Sequence, residues 1–269
     1  MAGNRAAYPG RLSRSRRRAT TDAESPRKGA GRPVNLSSFV CTAAALALAL
    51  PVGGFAEQPQ ATPFKNGEVL RYEVVWPSGL SLGEAEFRAN SNQKGWELKA
   101  EISASLPNFE VLDQYEASAD WNLCSQQLKR DSLHGSKQTH EEVVFDQKEQ
   151  RATRESLGGG GVSEFSVPPC VRDGLTYLYA LRRDLAAGRI PPPDDLNFGA
   201  MYGVVVTYAE SRDVAVQGEN READRILVDL NGPQSSHHFE IFFGKDDART
   251  PLLIKVPFSL GVFSLKLVE

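Results

Sequence analysis

Trp96-Glu97-Leu98-Lys99-Ala100-Glu101-Ile102-Ser103-Ala104 decides the fold. Trp96, Leu98, Ala100, Ile102 and Ala104 fall on one side of an extended chain, and Glu97, Lys99, Glu101 and Ser103 on the other. Strict period-two alternation of this kind predicts a strand with one buried and one wet face. Working outward, Tyr72, Val74 and Trp76 share a face before it, with Arg71 and Glu73 opposite. Similar runs cover residues 81–89, 110–121, 127–134, 141–145 and 151–156, then 202–209, 214–217, 224–230, 239–243, 252–256 and 262–268. Turn-forming clusters punctuate them at Pro77-Ser78-Gly79, Asn92 to Gly95, His134-Gly135-Ser136 and Gly218-Glu219-Asn220.

About a dozen strands joined by short turns predict a mainly β protein, an antiparallel meander. Such a sheet has to hide its edges and its apolar face, so it is expected to curl into a barrel-like form. One segment departs from the alternation. Leu175, Leu178, Tyr179, Leu181 and Leu185 recur at helical spacing, with Asp173 placed to cap the start and Gly188 to end the run. This predicts one amphipathic helix over Asp173–Ala187, packed on the sheet or plugging a barrel end. Gly158–Gly161 reads as a flexible loop; no Lys-Ser/Thr follows to make it a phosphate cradle.

The amino terminus carries a location signal. Arg14, Arg16, Arg17, Arg18, Arg27, Lys28 and Arg32 precede an apolar run within Phe39–Ala56, which Pro51, Gly53 and Gly54 break before Ala56. Charge, short apolar core and small residue, in that order, describe a cleavable secretory signal. The run is shorter than the about 20 residues a membrane span needs. The expected organisation is a signal over 34–56, cleaved near Ala56–Glu57, and one β domain over 57–269 that is periplasmic or secreted, with no stable membrane span after cleavage. Residues 1–33 read as a disordered extension or as the product of a start codon placed too far upstream.

Removing the signal changes the charge. Residues 1–56 hold nine of the 31 basic residues and two of the 34 acidic ones, which leaves 22 against 32, a net −10. An acidic domain lacks the Lys/Arg surface that phosphate backbones require, which argues against nucleic acid as a partner. Cys41 leaves with the signal, and Cys124 and Cys170 remain. In an oxidising compartment the two can pair, closing a loop of about 47 residues for about 4 kcal/mol. They can equally be two independent small hydrophobes, and both readings stay open here.

Several stretches resemble the DUF3108 family of exported bacterial proteins. Phe64-x-x-Gly67-Glu68-x-Leu70-x-Tyr72-x-Val74-x-Trp76, with Gly83 after it, is similar to that family's opening strands. Asp173-Gly174-Leu175-Thr176-Tyr177-Leu178-Tyr179-Ala180-Leu181-Arg182 resembles its helix, with Gly174 and Thr176 in place of the usual Pro and Ser. Lys245-Asp246-Asp247-x-Arg249-x-Pro251-Leu252, then Gly261, resembles its closing hairpin. The likeness spans nearly all of residues 64–269. It implies a curled or barrel-like antiparallel sheet with one helix, in a bacterial envelope, and it implies no chemistry, because the family's function is uncharacterised.

No reactive constellation emerges from the residues themselves. His237 and His238 are neighbours on a strand and face opposite ways, so they cannot chelate one ion without a bulge. His134 and His140 flank a hairpin turn with only Glu141 and Glu142 as further ligands, and solvated loop histidines are the plainer reading. No Gly-x-Ser-x-Gly marks a serine nucleophile, nothing marks a base for Cys170, and Asp194-Asp195 and Asp246-Asp247 read as turn residues. No catalytic residue, metal or cofactor is expected. The aromatics Tyr72, Trp76, Phe87, Trp96, Tyr115, Trp121, Phe239 and Phe243 all fall on strands. They form ordinary core, or they line a cavity for a lipid-like ligand such as a barrel of this size can hold. The cavity candidates are Tyr72, Trp76 and Trp96, with Leu178 from the helix. The expected function is binding or carriage of an apolar, lipid-like molecule; the alternative is an envelope interaction protein that docks a protein partner.

Overall fold

The computed structural model describes residues 61–106, 108–258 and 261–268. The expected signal, its cleavage point and the extension over 1–33 lie outside the described residues. Among the described residues, fifteen strands and one helix follow one another in the order β1 (Glu68–Val75), β2 (Ser81–Ser91), β3 (Trp96–Leu106), β4 (Phe109–Ala119), β5 (Ser125–His134), β6 (Lys137–Asp146), β7 (Arg151–Ser156), β8 (Gly161–Ser166), β9 (Arg172–Asp173), α1 (Gly174–Ala186), β10 (Asp194–Asn197), β11 (Met201–Val216), β12 (Glu219–Asn231), β13 (Ser236–Gly244), β14 (Pro251–Phe258) and β15 (Gly261–Leu267).

All fifteen strands belong to one sheet, ordered from β8 down to β1, then β15 down to β9. Each strand therefore pairs with its sequence neighbours, except that β1 pairs with β15, Tyr72 opposite Leu267, and that β8 and β9 form the two edges. The pairing is antiparallel throughout apart from β9 with β10. A parallel pair needs a crossover, and α1 supplies it.

The chain itself forces the sheet to curl. Laid flat, fourteen strand spacings of about 4.8 Å would hold the two edges about 67 Å apart. The link from Ser166 to Arg172 spans at most about 22 Å when fully extended. The ladder does not close into a barrel. Instead the β9 edge returns against the start of β5, where Ser125 N donates to Val171 O at 3.0 Å and Cys124 is bonded to Cys170 with their Cα atoms 4.6 Å apart. Of the two readings of these cysteines, the disulfide is the one the structure holds, and it pins the seam.

The expected helix is present and capped as its sequence suggests. Asp173 Oδ1 accepts from Leu175 N and Thr176 N, both at 2.9 Å. Gly188, at φ +69°, adopts the left-handed turn that ends the helix. The helix serves two apolar clusters at once: Tyr177, Leu181 and Leu185 join the larger one, built mainly from β1, β2 and β11–β15. Tyr179 and Ala180 join a smaller one with Phe64, Trp96, Leu98, Leu123 and Phe145. Among the described residues no helix is long and apolar enough to cross a membrane.

Four local expectations change. Gly161–Ser166, beyond the glycine loop, is a strand; as an edge it is exposed on nearly every residue, so burial leaves no alternation to read. Asp194-Asp195 lie in β10 rather than in a turn, opposite Val204 and Gly203. The runs 202–209 and 214–217 are one long strand, because a register shift between Tyr208 and Glu210 carries a polar stretch through without interrupting the pairing. The short β9 has only two residues and could not be seen by periodicity.

Candidate functional site

The register of the sheet lines up side chains that the sequence scatters. Across the strands, Leu70 pairs with Phe87, Phe87 with Ala100, Ala100 with Tyr115, Tyr115 with Arg130 and Arg130 with Glu141. This row begins apolar and ends in an ion pair. The curl of the sheet and the helix border a half-open cavity of about 300 Å³ beside it. Phe87, Ala100, Ile102, Leu128 and Val143 line it from β2, β3, β5 and β6. Val228, Leu230, Phe239, Ile241, Ile254, Val256 and Leu265 line it from β12–β15, and the helix adds Leu175, Tyr177, Leu178 and Leu181. The wall is therefore mostly aliphatic and aromatic.

A small number of polar groups interrupt it. Asp113, Arg130 and Glu141 stand together on β4, β5 and β6. His134 Nε2 lies 3.0 Å from both oxygens of Asp113. Arg130 Nη1 stands 4.0 Å from Glu141 Oε2, and its guanidinium lies over the Tyr115 ring, 5.8 Å from the centroid. Arg154 reaches Glu141 from the other side at 3.5 Å and donates to Gly199 O at 2.7 Å. Burial, reinforced by the Asp113 charge, pushes the Tyr115 phenol up to about 12. Burial likewise holds the Tyr177 phenol well above its ordinary value.

Asp173 also borders the cavity, but its carboxylate is fully used. Besides the two helix N–H groups, its Oδ2 accepts from Thr176 Oγ1 at 2.7 Å and Ser125 Oγ at 2.6 Å. Three polar atoms of cavity-lining residues are buried without a hydrogen-bond partner: Arg130 Nε, Tyr177 Oη and Asn197 Oδ1. Phe198, on the turn between β10 and β11, forms one rim and meets Tyr202, His237 and Phe239 edge-on at centroid distances of 6.1, 5.8 and 5.9 Å.

The structure separates the four expected cavity residues. Leu178 lines the cavity. Tyr72 is in the core behind it, with its hydroxyl donating to Pro251 O at 2.8 Å and its ring edge-on to Phe87. Trp76 packs on Phe263 near the β14–β15 hairpin. Trp96 belongs to the second cluster, edge-on to Phe64 and 6.2 Å from Trp121. Alternation put these rings on the inner face, but the interior is divided, and rings at its ends meet other side chains instead of space. The histidines part as well. His134 takes Asp113, His140 takes Asp131 rather than either neighbouring glutamate, and His238 takes Asp229 at 2.6 Å, while His237 turns to the aromatic rim. Among the described residues no group of three or more His, Cys, Asp or Glu side chains is gathered to hold a metal.

The polar cluster itself escaped the sequence reading, although a signal was there. Asp113 stands in the apolar phase between Val111 and Tyr115, Arg130 follows Leu128 by two, and Glu141 precedes Val143 and Phe145 by two and four. A charge in the buried phase of a strand is costly unless it is paired, and so it marks a site.

A family model described as a protein of unknown function, DUF3108, matches residues 71–268. The chain belongs to the DUF3108 family. Phe64, Gly67 and Glu68 precede the matched span, while the DUF3108 match takes in the whole cavity wall. No curated protein and no solved structure matches the chain significantly.

Proposed function

We propose that this DUF3108 protein is exported and binds an apolar, lipid-like molecule inside its curled sheet. The observation that carries the reading is the cavity: about 300 Å³, walled by aliphatic and aromatic side chains from both halves of the sheet, with a minority of polar groups, chiefly Asp113, Arg130, Glu141, Asp173 and Asn197. Ligand sites are concave and mainly apolar, with a few placed polar groups, and run from about 300 to 1,000 Å³. The volume suits one alkyl chain better than a multi-chain lipid. Export rests on the charge and apolar pattern ending at Ala56, and the Cys124–Cys170 disulfide agrees with an oxidising compartment.

The test is binding of a fluorescent single-chain lipid to the full-length protein and to Leu178→Asp, with native mass spectrometry of protein taken from its own envelope. Saturable binding that Leu178→Asp abolishes, and a co-purifying lipid-sized mass, are expected. Protein that binds no such probe and carries no such mass leaves the partner-docking reading in its place. One observation favours that second reading: β8 is an open edge, and Val162 on it is 65% exposed, as strand addition by a partner would require.

A further inference from the structure

We propose that the cavity's ligand is a single-chain amphiphile with an oxyanion head, a carboxylate or a phosphate, and that Arg130 receives the head. The proposal rests on the cavity being a binding site, as argued above, and adds the chemistry of its occupant. Arg130 lines the cavity from β5, between Tyr115 and Glu141. The carboxylate it faces, Glu141, stands off at 4.0 Å, and its Nε is buried with no hydrogen-bond partner. An arginine offers five N–H donors in a planar fork that fits carboxylate and phosphate oxygens two at a time.

The carboxylates beside Arg130 already have partners of their own. Both oxygens of Asp113 lie 3.0 Å from His134 Nε2. Glu141 is shared with Arg154, whose Nη2 faces it and whose Nη1 donates to the Gly199 carbonyl. Two arginines thus serve Glu141, and one carboxylate does not saturate them. An under-used cation at the end of an apolar wall matches a molecule that is apolar along its length and anionic at one end. Burial of the contact in that wall strengthens it relative to water.

The experiment is a binding series on the full-length protein with four probes of equal alkyl length: a fatty acid, an alkyl phosphate, a fatty alcohol and an alkyl ammonium. At least one anion should bind about 10- to 100-fold tighter than the alcohol, the scale of a charge-assisted hydrogen bond, with the ammonium weakest. Which anion binds tighter identifies the head. Arg130→Met should bring acid, phosphate and alcohol to similar affinities, and Arg130→Lys should keep part of the preference. An alcohol that binds the wild type as tightly as both anions overturns the head assignment alone. So does a preference that survives in Arg130→Met. Failure of all four probes overturns the cavity reading and this proposal with it. Should Arg130→Met not fold, the wild-type comparison of heads tests the head, and an unchanged preference in Arg130→Lys overturns the assignment to Arg130.

Discussion

Replacing Arg182 with methionine should cost the fold more than any other single truncation in the helix. Arg182 is 1% exposed. Its Nη1 and Nη2 donate to the two carboxylate oxygens of Glu68 at 2.6 and 2.8 Å, and Nε and Nη2 donate to Ala248 O at 3.2 and 3.0 Å. The rings of Phe64 and Tyr179 each lie 5.2 Å from the guanidinium. One side chain thus ties α1 to the first residue of β1, to the loop before β14 and to the segment preceding the sheet. Methionine fills most of the volume but leaves Glu68 as a poorly solvated, unpaired charge, which costs about 3–5 kcal/mol. At about 2–4 °C per kcal/mol for a domain of this size, the thermal midpoint falls by about 6–20 °C. Urea and thermal unfolding followed by circular dichroism measure it. Removing the stranded charge as well, in Arg182→Met with Glu68→Leu, should recover much of the loss, since an apolar pair of similar volume often replaces a buried ion pair at little cost. A single variant within 1 kcal/mol of the wild type, or a double variant no better than the single, would refute the reasoning.

Three further perturbations have outcomes set by the structure. Cys124→Ala with Cys170→Ala should lower the unfolding free energy by about 4 kcal/mol, the chain-entropy value for a loop closed over a separation of 46 residues, and the urea midpoint should fall to that of the reduced wild type. Gly83→Ala should destabilise by about 1–3 kcal/mol, because its Cβ would sit 1.9 Å from the Ser103 carbonyl oxygen on the paired strand; a neutral result in urea would show that β2 and β3 can part there. Asp224 and Glu240 are held below the ordinary carboxylate range: burial pushes each up, but Ser211 and Arg249 on the first, and Arg225 and Lys255 on the second, outweigh it. Their contribution is present above about pH 4 and disappears as pH falls through the lower folded values, so Asp224→Asn with Glu240→Gln should flatten the acid side of a stability–pH curve.

Most of the sheet was legible because burial on one face and water on the other write themselves as period two. Trp96 to Ala104 is the clearest case, and the helix was as plain because Asp173 and Gly188 bracket its Leu/Tyr stripe. Strands without that asymmetry were not: β8 is wet on nearly every residue, and β10 buries only Leu196 and Asn197 after three prolines. The sequence left open whether the inward aromatics pack as core or line a cavity, and it did not give the residues that border one. Alternation says that Tyr72, Trp76 and Trp96 face inward; it does not say which inward residues meet space and which meet one another. That depends on the register that stacks Phe87, Ala100, Tyr115, Arg130 and Glu141 into one row. Arg130 was overlooked although its spacing from Leu128 puts it in the apolar phase of β5.

The pairing of β1 with β15 has a consequence for how the molecule comes into being. Tyr72 and Leu267 lie 195 positions apart, and β15 is the strand that fills the gap between β1 and β14. Each arm of the meander can grow by local hairpins as the chain emerges, but the two arms become one sheet only when the last strand arrives. Until then β1 and β14 both offer unpaired backbone to any neighbour, and such long-range closure is slow. A chain stopped before Gly261 is expected to keep both edges open and to aggregate. An exported form would profit from being held unfolded until synthesis has ended.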